Sequence, residues 1–208
     1  MENKADIGYS RQLDLKEKFN RYWNQALKTN GEDYLTRLTT EDLVEMKKAI
    51  SNINNLITLK VTLAFIDVIC RLGIIDSAQA KTITEKVDKQ HPNTNGFDVC
   101  CNKEDDGIDL VAEIKCNIPV GGYEFGAAQM NGIITDLEGM WEGKGKFEKN
   151  YTNRCDKFMV LLEMQDGNEV KYAMENLLEH NKQYKDICVN LESNDIDTKH
   201  IYCVYIKL

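Results

Sequence analysis

The chain has 208 residues, a mass of 23.9 kDa and a formal net charge of −8. Its composition, with 42% hydrophobic residues, 29% charged residues and only 2 Pro beside 13 Gly, is typical of a soluble globular protein and excludes collagen-like, disordered and low-complexity chains. A chain of this length buries roughly 70% of its unfolded surface, so it needs no metal or disulfide in order to fold.

The hydropathy pattern predicts a cytoplasmic protein with no membrane partner. The best candidate for a membrane span, residues 59–75, is interrupted by Asp67 and Arg71, and the stretch MENKADIGYS contains no apolar segment of the signal-peptide type. None of the seven cysteines forms a CxxC pair, so we expect reduced thiols in strands and core.

The negative charge is unevenly distributed along the chain. Residues 163–197 carry nine acidic residues against three lysines, which accounts for most of the excess. Residues 1–30 and 141–157 each have two more basic than acidic residues. A nucleic-acid partner therefore remains compatible with the charge, although the charge does not indicate one.

The first part of the chain shows helical spacing of apolar residues. It predicts a first helix over residues 13–27, a second that begins at a capping-box-like Thr39-Thr40-Glu41-Asp42 sequence, and an apolar helix over 56–72 that ends at Gly73. A further helix is predicted from Asp76 to about residue 89, followed by a break at residues 91–93.

The pattern becomes β-rich after residue 95. Residues 97–101 and 108–116 predict a β-hairpin around a polar turn at 102–107. A helix over 125–140, a strand over 158–164, a helix over 172–184 and a final strand over 201–206 follow. The sequence thus predicts a mixed α/β domain over residues 76–208, preceded by a helical region over residues 1–75.

The hairpin carries the residues that are most informative about chemistry. Side chains alternate along a strand, so Val111, Glu113 and Lys115 should share one face, and cross-strand pairing can bring Asp98 beside Glu113. Two carboxylates can hold Mg²⁺, to which the backbone carbonyl of Ile114 could add a ligand, and Lys115 can orient water or offset charge on a phosphate. Taken alone, the same residues could be an exposed ion pair beside a turn acid.

These residues carry a resemblance. Gly96-Phe97-Asp98 followed by Ala112-Glu113-Ile114-Lys115 resembles the PD-(D/E)xK signature of the restriction-endonuclease-like nuclease superfamily, over about residues 77–208. The resemblance implies an αβββαβ core and DNA cleavage that depends on Mg²⁺, for which Mn²⁺ can substitute. Phe97 departs from the motif because it stands where the signature has proline, which weakens the specificity of the match without removing a ligand.

Helices on either side of the hairpin offer further candidates. Relatives in this superfamily imply a water-mediated metal contact for Glu85 and a contact to the scissile phosphate for Gln129. Glu85 could equally well be an ordinary surface glutamate, and Gln129 could equally well lie in a helix that only packs on the sheet. Asp109 lies too far along the strand from Glu113 to share a metal, and the turn acids Asp105 and Asp106 are expected to be solvated.

For the nucleic acid itself, the non-acidic surfaces are the N-terminal helices and the region that contains Asn131, Lys144 and Lys146. The glycines around Lys144 also permit a simple flexible loop. The sequence contains no GxSxG, GxGxxG or Walker-type loop, which removes the usual hydrolase, Rossmann and NTPase hypotheses.

Together these features favour a type II restriction endonuclease that cuts a short double-stranded DNA sequence as a homodimer. A structure-selective repair or toxin nuclease is the first alternative. The second is a non-catalytic module that binds nucleic acid or protein, which the acidic sequence pI of about 5.0 favours.

Overall fold

The structure of the protein is a computed structural model that describes residues 10–89 and 96–208. The chain forms two compact units, residues 1–52 and residues 53–208. The sequence places the change in organisation near residue 75, whereas the structure places it near residue 52. The reason is that the second half of a long helix, from Val61 onward, belongs to the core of the α/β unit. The predicted break at residues 91–93 lies outside the described residues.

The first unit contains helix α1 (Ser10–Ala26), a 3₁₀ turn (Leu35–Arg37) and the start of helix α2 (Thr40–Arg71). Polar contacts hold the turn against α1, since the Asn20 side chain accepts hydrogen bonds from the backbone N–H groups of Tyr34 and Leu35. None of the residues that the structure describes in this unit is buried. Tyr22 is largely exposed on α1.

Helix α2 begins where the sequence predicts, because Thr39 and Asp42 cap it reciprocally. It continues without a break for 32 residues, so the two predicted segments are one helix. It ends at Arg71, and Gly73, two residues further on, adopts a left-handed φ of 74°. By length and composition this helix could also cross a membrane, but core helices of globular proteins pass the same test, and its buried face packs in the second unit.

The second unit is a mixed α/β domain, as predicted. Its helices are α3 (Ser77–Lys89), α4 (Lys103–Asp106), α5 (Ala127–Glu142), α6 (Lys149–Thr152), α7 (Glu169–His180) and α8 (Lys182–Lys185). Its strands are β1 (Val99–Cys101), β2 (Leu110–Lys115), β3 (Gly143–Lys144), β4 (Phe147–Glu148), β5 (Asp156–Leu162), β6 (Cys188–Asn190) and β7 (Ile201–Ile206).

Five of these strands form the central sheet in the order β1-β2-β5-β7-β6. Strand β1 is antiparallel to β2, and the other neighbours are parallel. Strands β3 and β4 form a separate small hairpin. The carboxyl ends of β2, β5 and β7 therefore lie at one edge of the sheet, where the loop from β2 to α5 begins.

Both faces of the sheet are covered. On one face, α2 and α3 pack against β2, β5 and β7 through residues such as Phe65, Ile83 and Phe158. On the other face, α5 and α7 pack against the same strands through residues such as Leu137 and Met159. This double coverage explains why β5 and β7 are almost continuously apolar in sequence.

The strand order and the turns differ in detail from the sequence-based expectations. Two strands, β1 and β2, lie between α3 and α5 in the described residues, and the αβββαβ core implied by the resemblance is not established. The predicted hairpin turn contains the short helix α4, capped by Asn102. Asp106 is buried and bonded to Lys86, which corrects the expectation that it is solvated. Strand β6 and the β3–β4 hairpin were not predicted.

Candidate functional site

The predicted hairpin brings Asp98 to the strand that carries Glu113. The register pairs Val99 with Ala112, so Asp98, which directly precedes β1, stands opposite Glu113. The Asp98 carboxylate is exposed, and its Oδ2 accepts a hydrogen bond of 2.8 Å from the backbone N–H of Ile114. This bond holds the carboxylate against β2 at the edge of the sheet where the parallel strands end.

Glu113 occupies the predicted face of β2, but that face is not open. Val111 belongs to the α5-side core while Ala112 and Ile114 belong to the α2-side core, so the alternation is as predicted. Because helices cover both faces, only 3% of Glu113 is exposed. Burial, and next the nearby carboxylates of Asp98 and Asp136, raises the pKa of Glu113 to about 8.

Two lysines and one further acid complete the cluster. Lys144 donates hydrogen bonds to Glu113 Oε1 at 2.5 Å and to Asp136 Oδ1 at 2.7 Å. Lys115 forms an ion pair with the other oxygen, Oδ2, of Asp136. We call Asp98, Glu113, Lys115, Asp136 and Lys144 the charged cluster. It contains three carboxylates and two amines, which leaves one negative charge in excess when all are ionised.

Asp136 was not among the predicted site residues. It lies on α5 between the buried residues Ile133, Leu137 and Met140 and is itself only 6% exposed. An acidic residue on the apolar face of an amphipathic helix needs a partner, and this is the signal by which the sequence could have indicated it.

The β3–β4 hairpin positions Lys144. Gly143 has a φ of 98°, and a Cβ there would lie 2.6 Å from the carbonyl oxygen of Phe147, so glycine is required. Phe147 packs on Phe97, the residue before Asp98, with ring centroids 5.5 Å apart. This stretch is thus an ordered hairpin rather than a flexible loop, and Lys144 points into the cluster instead of being free to contact DNA.

The structure places the remaining candidates apart from the cluster. The Gln129 side chain accepts a hydrogen bond from the Gly126 N–H and donates one to the Ile118 carbonyl, so it holds the loop between β2 and α5. Glu85 is exposed on α3, and its neighbour Lys86 contacts the far end of the hairpin.

The other two nominated nucleic-acid contacts, Asn131 and Lys146, are exposed. Asp109 is bonded to the N–H of Lys103 and to Arg154 at the hairpin turn. It therefore lies away from Glu113, as the strand spacing predicts.

The donor chemistry of the cluster fits a hard divalent cation. The carboxylate oxygens of Asp98 and Glu113 are ligands of the kind that Mg²⁺ prefers. Within residues 10–89 and 96–208, however, no group of three or more His, Cys, Asp or Glu side chains is arranged to hold a metal ion. The backbone of Ile114 lies within β2, paired with Val160 of β5.

No protein-family model, curated protein or solved structure matches this chain. The features of the chain that bear on its function are therefore the charged cluster and the short motif that contains Asp98, Glu113 and Lys115.

Proposed function

We propose that the protein is a Mg²⁺-dependent endodeoxyribonuclease that hydrolyses phosphodiester bonds, and more specifically a type II restriction endonuclease that acts on double-stranded DNA. The observation that carries the proposal is the pairing of β1 with β2, which sets Asp98 opposite Glu113. Lys115 follows two residues later on the same face of β2. Two carboxylates and an amine thereby meet at the carboxyl edge of a parallel sheet, where α/β proteins commonly bind ligands.

Each residue of the motif has a distinct part in this proposal. Asp98 and Glu113 would hold the metal ion, which would polarise the phosphate and lower the pKa of bound water. Lys115 would orient the attacking water or offset negative charge that develops on the phosphate. The ion pair with Asp136 keeps the Lys115 ammonium beside the carboxylates, and 20% of the Lys115 side chain is exposed.

Few of the basic side chains in residues 141–157 are free of ion pairs and so able to contact DNA. In residues 141–157, Lys144 is engaged in the cluster and Lys149 is paired with Glu142. Arg154 contacts Asp109 and lies over the Tyr151 ring. Lys146 is exposed and remains the best candidate in this stretch for a phosphate contact.

A non-catalytic binding module is the second candidate, and one observation favours it. The two lysines of the cluster already neutralise most of its negative charge, as expected for an ion network that only stabilises the fold. Under this alternative no metal ion would be required for any activity of the protein.

Supercoiled plasmid DNA distinguishes the two candidates. The wild-type protein should nick or linearise the plasmid in Mg²⁺ or Mn²⁺ and not in EDTA, and Asp98→Asn should lose this activity. A matched control is Asp105→Asn, because Asp105 is an exposed acid of the same hairpin, and its side chain accepts a hydrogen bond from its neighbour Asn102. Absence of metal-dependent cleavage by the wild-type protein, with intact fold, would contradict the nuclease proposal and favour the binding module.

A further inference from the structure

The first half of helix α2 presents apolar side chains to solvent at a regular spacing. Leu43, Met46, Ile50 and Ile53 follow one another at intervals of three, four and three residues along this one uninterrupted helix. This is the spacing of the a and d positions of a heptad, so the four side chains lie on one narrow stripe of the helix surface. We call these four residues the apolar seam.

The side chains of the apolar seam are accessible. Leu43, Ile50 and Ile53 are 40%, 55% and 52% exposed, and Met46 is half-buried. No residue in the described stretch 10–52 is buried, so these helices have no core of their own. Because most helical stability in proteins comes from packing of an apolar face, an exposed seam on helices without a core indicates a surface that a partner covers.

Charged side chains flank the apolar seam in a pattern that suits a second copy of the same helix. With Leu43 at position a of the heptad, Asp42 lies at position g and the exposed Lys47 at position e. In a parallel pair of helices, a residue at g lies beside the next e residue of the partner helix. Asp42 of each copy would therefore meet Lys47 of the other copy. The bonds by which Asp42 caps α2 use its Oδ2, so they are compatible with a contact through Oδ1.

The polar side chains of this half of α2 favour a second copy over a lipid surface. Glu41, Asp42 and Glu45 lie beside Lys47 and Lys48, so the stretch carries three acidic residues against two lysines. Helices that lie in a membrane interface typically have a polar face rich in lysine and arginine. The narrow stripe formed by the apolar seam is instead typical of the contact between two helices.

We propose that the protein forms a parallel, in-register dimer through the apolar seam of α2. Each seam residue packs against its counterpart in the second copy, and the pairs of Asp42 with Lys47 set the direction and the register of the two helices. The residues of this contact are not members of the charged cluster. The inference does not depend on the proposed nuclease function, because the association requires neither metal nor DNA.

Sedimentation equilibrium in EDTA, without DNA, tests the contact. The wild-type protein should have about twice the 23.9 kDa mass of one chain. Ile50→Glu places a charge in the middle of the apolar seam and should weaken the dimer at least about tenfold. The matched control is Val44→Glu, because Val44 is a 48% exposed residue of the same helix that lies off the seam, and this variant should dimerise as the wild-type protein does. A monomeric wild-type protein, or equal weakening of the dimer by both substitutions, would overturn the inference.

Cysteine cross-linking tests the direction of the helices and does not require Ile50→Glu to fold. In a parallel dimer, Leu43→Cys brings two thiols together at an a position, so a mild oxidant should join them in a disulfide-linked dimer. Val44→Cys directs its thiols away from the partner, and the wild-type protein with its seven native cysteines gives the background. Cross-linking of Leu43→Cys at or below the level of Val44→Cys would overturn the parallel dimer.

Flotation with vesicles of phosphatidylcholine and phosphatidylserine tests the lipid surface directly. The wild-type protein should stay with the soluble fraction at concentrations at which it is a dimer. Flotation of the wild-type protein that Ile50→Glu abolishes and Val44→Glu does not would assign the apolar seam to a lipid surface and overturn the inference. The proposed nuclease function would be unaffected by that result, since it is tested separately by cleavage of plasmid DNA.

Discussion

The carboxylate of Asp98 and the backbone N–H of Ile114 are joined by a hydrogen bond of 2.8 Å. This bond ties the residue before β1 to the residue between Glu113 and Lys115. It therefore fixes the spacing of the three motif side chains through the backbone of one strand.

Asp98→Asn should remove metal-dependent cleavage with little effect on stability. The amide oxygen can still accept the bond from Ile114, but the anionic ligand is lost, so cleavage should fall at least about 100-fold. Because Asp98 is exposed, the melting temperature should stay within a few degrees of the wild-type value. Cleavage at the wild-type rate by a folded Asp98→Asn protein would show that Asp98 is not a metal ligand.

Glu113 should give the protein a pH-dependent stability. Burial raises the pKa of Glu113 from its ordinary 4.5 to about 8 in the folded protein, so between these pH values the folded state holds a proton that the unfolded state has released. The free energy of unfolding should therefore decrease as the pH rises from about 4.5 to about 8, and level off above that. Urea titrations in EDTA across this range measure the slope.

The matched variant for this effect is Glu113→Gln, which has no titrating group at position 113. Its stability should vary less with pH than that of the wild-type protein across the same window. Identical slopes would mean that Glu113 does not titrate there.

Lys115→Ala should reduce turnover more than DNA binding. Its proposed role is to orient water or to stabilise charge that appears in the transition state, so kcat should fall by on the order of 100-fold with a small change in Kd. Single-turnover cleavage and binding in Ca²⁺ measure the two quantities separately. Equal losses would instead identify Lys115 as an anchor for a ground-state phosphate.

Glu163 should be structural, and it offers a control for the charged cluster. Its buried carboxylate accepts hydrogen bonds from the N–H groups of Met164, Val170 and Lys171, and so caps α7 directly after β5. Glu163→Gln removes the charge that these donors face and should cost about 1 to 3 kcal/mol. Urea denaturation measures this loss. The cleavage rate of the folded protein should be unchanged, and a selective loss of cleavage would point to a role in the site.

Cleavage products should have common ends at one short palindromic sequence. The described residues contain one Asp98, Glu113 and Lys115 constellation, so two copies are needed to cut both strands at a fixed place, and a two-fold dimer reads a two-fold symmetric site. Sequencing of fragment ends and sedimentation with DNA test this. Random ends, or cutting confined to flaps and junctions, would favour a repair or toxin nuclease.

Local sequence signals were sufficient for much of the fold. The start of α2 depends on Thr39 and Asp42, and the end of α2 depends on Gly73, residues that act within one turn of the helix. The final strand has the bounds predicted for it, because six consecutive apolar or aromatic residues favour a buried strand. The hairpin that joins Asp98 to Glu113 follows from the same kind of short-range pattern.

The tertiary structure alone determined the burial and the charged neighbours of that hairpin. Period-two alternation correctly assigned Glu113 to one face of β2, but only the packing of α5 on that face makes Glu113 buried instead of solvent-exposed. Asp136 and Lys144 join it from 23 and 31 residues further along the chain, through contacts that no local periodicity specifies. A strand pattern determines which side chains share a face, whereas the burial and charge of that face depend on what long-range packing places over it.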